Sequence, residues 1–236
     1  MSNNKFKLVA LLPIKGNSER VPGKNFKIFG GRPLFQWVLN KLLEIDEIDA
    51  VVINTDAEDL LLNSGLPSNK KIIIRNRKQE ICGDMVSMNR VIQDDVLNID
   101  SALYLMTHTT NPFISKETIV KSISVFKHSI LKDNKDSLFT VNKVQERFYD
   151  ANAKAINHDP NNLIRTQDLT PWYQENSNLY LFTKESFSQT NARIGSNPAI
   201  LVTAPYESTD IDTPSDWELG EVMIEYYKKK GLSNDS

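Results

Sequence analysis

The sequence predicts an α/β fold in three layers, a mainly parallel sheet covered by helices on both faces. Short apolar runs recur along the chain, helix-period stretches separate them, and the two alternate without a break as far as Val141. That alternation is the pattern of strand, crossover helix and strand. The first run, Lys7 to Leu12, stops at Pro13, and its near-continuous apolar character suits a strand buried on both faces. Ala50–Thr55, Ile72–Ile74, Leu103–Met106 and Leu138–Val141 repeat it. Leu34, Trp37, Val38, Leu42 and Ile45 share one helical face. Met88, Val91, Ile92 and Val96 share a second, and Ile119, Ile123, Phe126 and Ile130 a third.

After Val141 the rhythm breaks. Residues 142–175 are polar and rich in Asn, with Asp159-Pro160-Asn161-Asn162 as a turn signal, and read as an inserted arm of loop or short strands. Leu179–Phe182 returns to the sheet, and Ala199–Val202 is a further strand. A last helix starts at Pro214, with Thr213 as N-cap and Asp216 at the third position. Trp217, Ile224 and Tyr227 form its inner side, and the tail from Gly231 to Ser236 is expected to fray.

Bulk properties narrow the function. The 28 basic and 30 acidic residues of this 236-residue chain nearly cancel. A nucleic-acid binder would carry a basic excess, so no nucleic-acid partner is expected. A lone cysteine, Cys82, cannot close an intrachain disulfide and suits a reducing compartment. The polar start, Met1 to Lys5, lacks the apolar region of a signal peptide. No apolar stretch reaches the roughly 18 residues of a membrane span. A cytoplasmic protein without a membrane partner is expected.

Two constellations carry chemistry. The loop Lys15 to Asn25 follows the first strand, where open α/β sheets bind ligands. Gly16 and Gly23 allow backbone N–H groups to face an anion, Ser18 adds a hydroxyl, and Lys15, Arg20 and Lys24 concentrate positive charge. The Walker spacing is absent, and on composition alone the loop reads equally as a solvated basic turn. Asp210 and Asp212 flank the apolar Ile211. In extended backbone both carboxylates face one way while Ile211 turns inward. Such a pair either caps a turn or holds a hard cation such as Mg²⁺.

A series of motifs runs through the chain. Lys15-Gly16-Asn17-Ser18 through Pro22-Gly23-Lys24-Asn25 opens it, followed by Gly30-Gly31-Arg32-Pro33-Leu34 and Asn54-Thr55-Asp56. Arg77, Glu80 and Asp84 come next, then Arg165-Thr166-Gln167-Asp168-Leu169 and Glu175-Asn176-Ser177. Asp210-Ile211-Asp212 with Asp216-Trp217 closes it. In this order, over nearly the whole chain, the series resembles the acylneuraminate cytidylyltransferases. These are the CMP-sialic acid synthetases and their relatives that activate Kdo-like, legionaminic-like and pseudaminic-like sugar acids.

The resemblance implies a Rossmann-like fold of the nucleotide-diphospho-sugar transferase type. It implies one nucleotidyltransferase domain over residues 1–236, with 142–175 as a dimerisation arm, and hence a homodimer. The reaction would transfer CMP from CTP to the anomeric hydroxyl of a sugar acid and release pyrophosphate. Lys15, Asn17, Ser18, Lys24, Asn25, Arg77 and Ser87 would bind the nucleotide. Lys15, Lys24 and Asp212 would act in catalysis, and Asp210 and Asp212 would hold Mg²⁺. His108, Arg165 and Gln167 would meet the sugar acid. Lys143 and Arg147, on the arm, would reach a partner's site or remain solvated. The alternative for His108 is a buried structural histidine. Two departures leave the sugar acid open: Lys15 replaces the usual arginine, and His108 replaces a glutamine in Thr107-His108-Thr109-Thr110-Asn111-Pro112. The rival readings are a nucleotidyltransferase for another NTP or acceptor, and a non-catalytic nucleotide-binding protein of the same fold.

Overall fold

The computed structural model describes residues 6–229. The frayed tail expected from Gly231 onward lies outside the described residues. The strands are β1 (Phe6–Leu11), β2 (Ile28–Phe29), β3 (Arg32–Pro33), β4 (Ala50–Thr55), β5 (Ile72–Asn76), β6 (Ser101–Thr107), β7 (Ser137–Val144), β8 (Trp172–Thr183) and β9 (Pro198–Val202). The helices are α1 (Leu34–Leu43), α2 (Glu58–Asn63), α3 (Met88–Asn98), α4 (Lys116–Asp133), α5 (Lys184–Thr190) and α6 (Pro214–Lys229).

Seven strands form one sheet in the order β5-β4-β1-β6-β8-β7-β9. The first four run parallel, β8 is antiparallel to both β6 and β7, and β9 is parallel to β7. The α/β class and the mainly parallel sheet are as the sequence predicts. Alternation along β1 explains the three layers. Leu8, Ala10 and Leu12 pack with Phe35, Val38 and Leu42 of α1 and with Ile119, Ile123 and Phe126 of α4. Val9 and Leu11 face the other way, onto Ile92 and Val96 of α3 and Phe187 of α5. Every second residue thus feeds a different core, which is why these strands read as unbroken apolar runs.

Three elements escape the periodic reading. Gly30 and Gly31, at φ of 58° and 105°, turn the two-residue hairpin β2–β3, a geometry that needs positive φ at both positions. Helix α2 buries only Leu61, and α5 buries Ser186 and Phe187. Both are too short to show a period. The arm is also shorter as irregular chain than expected. β7 continues past Val141 to Val144, and Lys143 and Val144 pair with Tyr173 and Trp172 at the start of β8. Between them lie a Tyr149–Ala155 bridge and a 3-10 turn at Thr166–Asp168. No helix among the described residues is long and apolar enough to cross a membrane.

A third, smaller cluster joins Val21, Phe29, Leu34, Ile211, Trp217 and Ile224. It clamps the loop after β1, the hairpin, the Asp210–Asp212 segment and α6 to one another. Helix α6 begins with a reciprocal cap: Thr213 N donates to Asp216 Oδ2 at 2.7 Å, and Asp216 N donates to Thr213 Oγ1 at 3.2 Å. That cap fixes where the preceding carboxylates point.

Candidate active site

A cavity of about 530 Å³ opens at the carboxyl ends of the parallel strands. Loops after β1, β5 and β6 and the segment before α6 line it. Its wall includes Lys15, Ser18, Arg20, Lys24, Asn25, Arg77, His108, Asp210 and Asp212. The loop after β1 is folded tightly. Gly16 N donates to Asp56 Oδ1 at 2.7 Å, and a Cβ on Gly16 would stand 2.7 Å from that of Ala57. Only glycine fits that approach. Gly23, at φ 64°, reverses the chain so that Phe26 N and Lys27 N both reach its carbonyl.

The cations of the loop are arranged against carboxylates. Lys24, 6% exposed, places Nζ 2.8 Å from Asp212 Oδ1, while Arg20 Nη2 lies 2.7 Å from Asp212 Oδ2. Lys15 pairs with Asp84. Burial pushes the Asp212 carboxyl up, but the hydrogen bonds and charges of Lys24 and Arg20 prevail and hold it below the usual range. Asp210 differs. Burial and the nearby Asp212 charge push its carboxyl up, against a hydrogen bond from Thr110. Asp210 Oδ1 is buried without any hydrogen-bond partner. Ile211, between the two aspartates, is fully buried, so both carboxylates line one cavity as period-two geometry requires.

Asn25 serves the loop itself. It is 5% exposed. Its amide donates to Lys15 O at 2.8 Å and accepts from Thr109 Oγ1 at 2.6 Å, tying the loop to the segment after β6. Arg77 reaches the cavity from beyond β5. Its Nε donates to Asn54 Oδ1 at 2.9 Å and its Nη2 to Asn54 O at 2.8 Å. The Asn54 amide in turn donates to buried Asp95 at 2.7 Å. His108 is partly buried, and its ring makes no hydrogen bond to a described residue. Burial, aided by the positive charges of Arg193 and Lys24, pushes its imidazole down to about 3 against the opposing pull of Asp212, so the ring is neutral.

Other expected residues lie outside this cavity. Asn17 is exposed and accepts from Ser18 N at 3.0 Å. Ser87 lines an adjoining cavity of about 320 Å³. On the arm, Arg165 forms a two-pronged pair with Asp168, at 2.7 and 3.1 Å, and is 73% exposed. Gln167 is exposed, and its carbonyl accepts from Gln145. Arg147 donates to Ile164 O at 2.6 Å, and Lys143 is exposed on β7. Within one chain, therefore, the arm residues do not meet the loop residues. Asp84, Thr109, Thr110 and Ser177 line the cavity without a place in the sequence-derived site. All four lie in the quoted segments, but that they face the cavity is disclosed only by the tertiary fold.

A family model described as Cytidylyltransferase matches residues 9–229. The chain is similar to the N-acylneuraminate cytidylyltransferase of Oncorhynchus mykiss, 25% identical over 98% of this chain and 53% of the relative. It thus spans about half the length of that relative. It is also 24% identical to the CMP-N,N'-diacetyllegionaminic acid synthase of Legionella pneumophila, over 93% of this chain and 97% of the relative. Among solved structures, a 4-diphosphocytidyl-2C-methyl-D-erythritol synthase from Anaerococcus prevotii shares the fold with TM-score 0.69 and 14% identity, over 93% of this chain and 96% of that one. A CMP:2-keto-3-deoxy-manno-octonic acid synthetase complexed with CTP does so with TM-score 0.65 and 15% identity, over 93% and 99%. The family model spans nearly the whole sheet and every element that frames the cavity, and on that match this chain belongs to the cytidylyltransferase family.

Proposed function

We propose that this protein transfers CMP from CTP to the anomeric hydroxyl of a sialic-acid-like or other 3-deoxy-2-keto sugar acid and releases pyrophosphate. The observation that carries the reading is Asp212, ionised between Lys24 and Arg20, beside Asp210, whose buried Oδ1 has no hydrogen-bond partner, in one cavity. The relatives named as cytidylyltransferases and synthases for sugar acids support it.

The chemistry follows from charge. Lys15, Arg20 and Lys24 surround the position for a triphosphate and offset its charge as the leaving group develops. The acceptor hydroxyl oxygen forms a bond to the α-phosphorus, and the bond between the α-phosphorus and its bridging oxygen to the β-phosphate breaks. Pyrophosphate carries that electron pair away, and the hydroxyl proton passes to water. Asp212, ionised, accepts a hydrogen bond from the attacking hydroxyl and orients it, and Arg77 and Ser18 hold the nucleotide. Neutral His108 offers its ring nitrogens to an acceptor hydroxyl.

The donor set suits magnesium. Two carboxylates face one cavity, one of them with an orphaned buried oxygen, and the described residues hold no cluster of three or more potential ligands. Mg²⁺ favours this arrangement because it takes few protein carboxylates and completes its shell with water and phosphate oxygen. When bound by Asp210 and Asp212, it would supply charge neutralisation at the phosphates and lower the pKa of a coordinated hydroxyl.

We further propose a homodimer built through the arm, which exposes Tyr149, Ile156, Leu163, Ile164, Trp172 and Tyr173. In that assembly Lys143, Arg147, Arg165 and Gln167 would act at the partner's site. The lone Cys82 favours a cytoplasmic setting. The test is pyrophosphate release with each NTP, Mg²⁺ and a panel of N-acetylneuraminic, legionaminic, pseudaminic and Kdo-type acids. CTP with one of these acids should give turnover, and faster turnover with UTP would reject the reading. A monomer in solution scattering would reject the arm as a dimer contact.

A further inference from the structure

Beside the main cavity lies the smaller one of about 320 Å³, lined by Ser87, Met88, Asn89, Glu175, Arg193 and Ile194, among others. Met88 lines both spaces. Ser177, on the wall of the main cavity, lies 3.3 Å from the Tyr180 hydroxyl, which also donates to Glu175 of the smaller one. The two spaces therefore adjoin, with Met88 in the wall of both.

Arg193 is the cation of the smaller compartment. Its guanidinium stacks 3.9 Å from the centre of the Tyr180 ring, and Nη2 donates to the Tyr180 hydroxyl at 3.1 Å. Its backbone N donates to Asn89 Oδ1 at 3.3 Å, which anchors the segment after α5 to α3. Glu175 approaches only to 3.7 Å, and its side chain is 43% exposed. The arginine side chain is 20% exposed, so a charge is kept largely out of water with one loose counterion. Its field reaches His108, whose imidazole it helps to keep neutral. A stacked guanidinium has lost most of its rotamer freedom and presents its fork at low entropic cost.

We propose that this compartment is the acceptor subsite and that Arg193 holds the carboxylate of the sugar acid. The inference rests on the transfer reaction proposed above and adds the residue that recognises the acceptor's charge. The carboxylate of such an acid is bonded to the carbon that bears the attacking hydroxyl, so it must sit close to the triphosphate. Two anions side by side need a cation not already given to the phosphates. Lys15, Arg20 and Lys24 face the triphosphate position and Arg77 the nucleotide, all on the wall of the main cavity. Arg165, the arginine the motifs suggest for this role, is exposed on the arm and stands outside its own chain's cavity. Arg193 stands on the acceptor side of His108 with donors to spare, in the planar form that suits a carboxylate.

The test is steady-state kinetics of wild type, Arg193→Gln and Arg193→Lys with CTP and the preferred acid. An acceptor amide, in which the carboxylate is replaced by a carboxamide, completes a double-mutant cycle. The expected result is an acceptor KM raised about 30-fold in Arg193→Gln, in line with loss of a charge-assisted pair, with KM for CTP within about two-fold of wild type. Arg193→Lys should recover part of the loss. The amide should be penalised in wild type and carry no further penalty in Arg193→Gln. An unchanged acceptor KM, an equal rise in KM for CTP, or full additivity in the cycle overturns the subsite. Absence of turnover by wild type with every acid overturns the function, and the subsite with it.

Discussion

Lys24 Nζ lies 2.8 Å from Asp212 Oδ1 although the lysine side chain is only 6% exposed. A charge so enclosed depends on its partner, because an unpaired buried ammonium is costly. Asp212→Asn keeps the shape and a hydrogen-bond acceptor but removes the negative charge from both Lys24 and Arg20. Turnover should fall at least ~100-fold, the scale of losing one electrostatic group from such a site. Stability should drop by about 1–3 kcal/mol, with the fold retained. Pyrophosphate release and thermal melting check both, and wild-type activity would reject the role given to Asp212.

Metal removal gives a second outcome. Chelation should abolish turnover, and Mg²⁺ should restore it. Asp210→Asn should shift the Mg²⁺ concentration for half-maximal rate upward by about tenfold or more, since one of only two protein carboxylates is lost. Titration of rate against Mg²⁺ measures it. An unchanged Mg²⁺ requirement in Asp210→Asn would exclude this residue as a ligand.

His108 occupies the place of a glutamine in the resembling family, and its ring has no hydrogen bond to a described residue. His108→Gln keeps a polar side chain and adds an amide donor and acceptor. The variant should alter the ranking of sugar acids by about tenfold, the scale of one hydrogen bond gained or lost, while KM for CTP stays unchanged. A competition assay with mixed acids reads this directly, and an unchanged ranking would mark His108 as structural.

These sites show what one chain's sequence makes legible. β1 and β4 are plain as apolar runs because both their faces are buried. The inward turn of Ile211 between two cavity-facing carboxylates is legible because a period of two is local. Helix α5 is not, since its seven residues are mostly polar and only two are buried. Arg193 and Asp95 are invisible for another reason. Their neighbours Tyr180 and Asn54 are 13 and 41 residues away in sequence, and no spacing rule joins them. Asn25 has the right position in the loop, but its amide is spent on Lys15 and Thr109, which only the fold discloses.

Asp95 supports Arg77 through Asn54, and its titration makes the support measurable. Burial pushes the carboxyl up to about 6 from 3.8, against hydrogen bonds from Asn54 and Arg75 and the charge of Arg75. The folded value exceeds the unfolded one, so the native state holds the proton longer. The corresponding stability is complete below pH 3.8 and is lost as pH rises through about 6. Wild type should lose on the order of 3 kcal/mol over that window relative to Asp95→Asn. Chemical denaturation at the two ends of the window measures the difference. The same variant should raise KM for CTP several-fold and leave the acceptor KM unchanged, because an asparagine no longer dictates which way the Asn54 amide points. Equal effects on both substrates would reduce Asp95 to general stability.

Gly220 sits inside α6, where alanine is normally preferred by about 1 kcal/mol. Here a Cβ would stand 2.6 Å from Phe29 Cζ and 2.8 Å from Ile211 Cδ1, and both neighbours are fully buried. Neither can yield without moving the third core cluster, so overpacking by about 1–3 kcal/mol should outweigh the helical gain. Ile211 is the residue between the two aspartates. Any displacement that relieves the clash shifts Asp210 and Asp212 together, whereas Arg77 and Asn54 lie on other elements. Gly220→Ala should therefore weaken Mg²⁺ dependence and kcat more than CTP binding in the absence of metal. A variant that melts earlier yet keeps the wild-type Mg²⁺ titration would show that Ile211 does not carry this coupling.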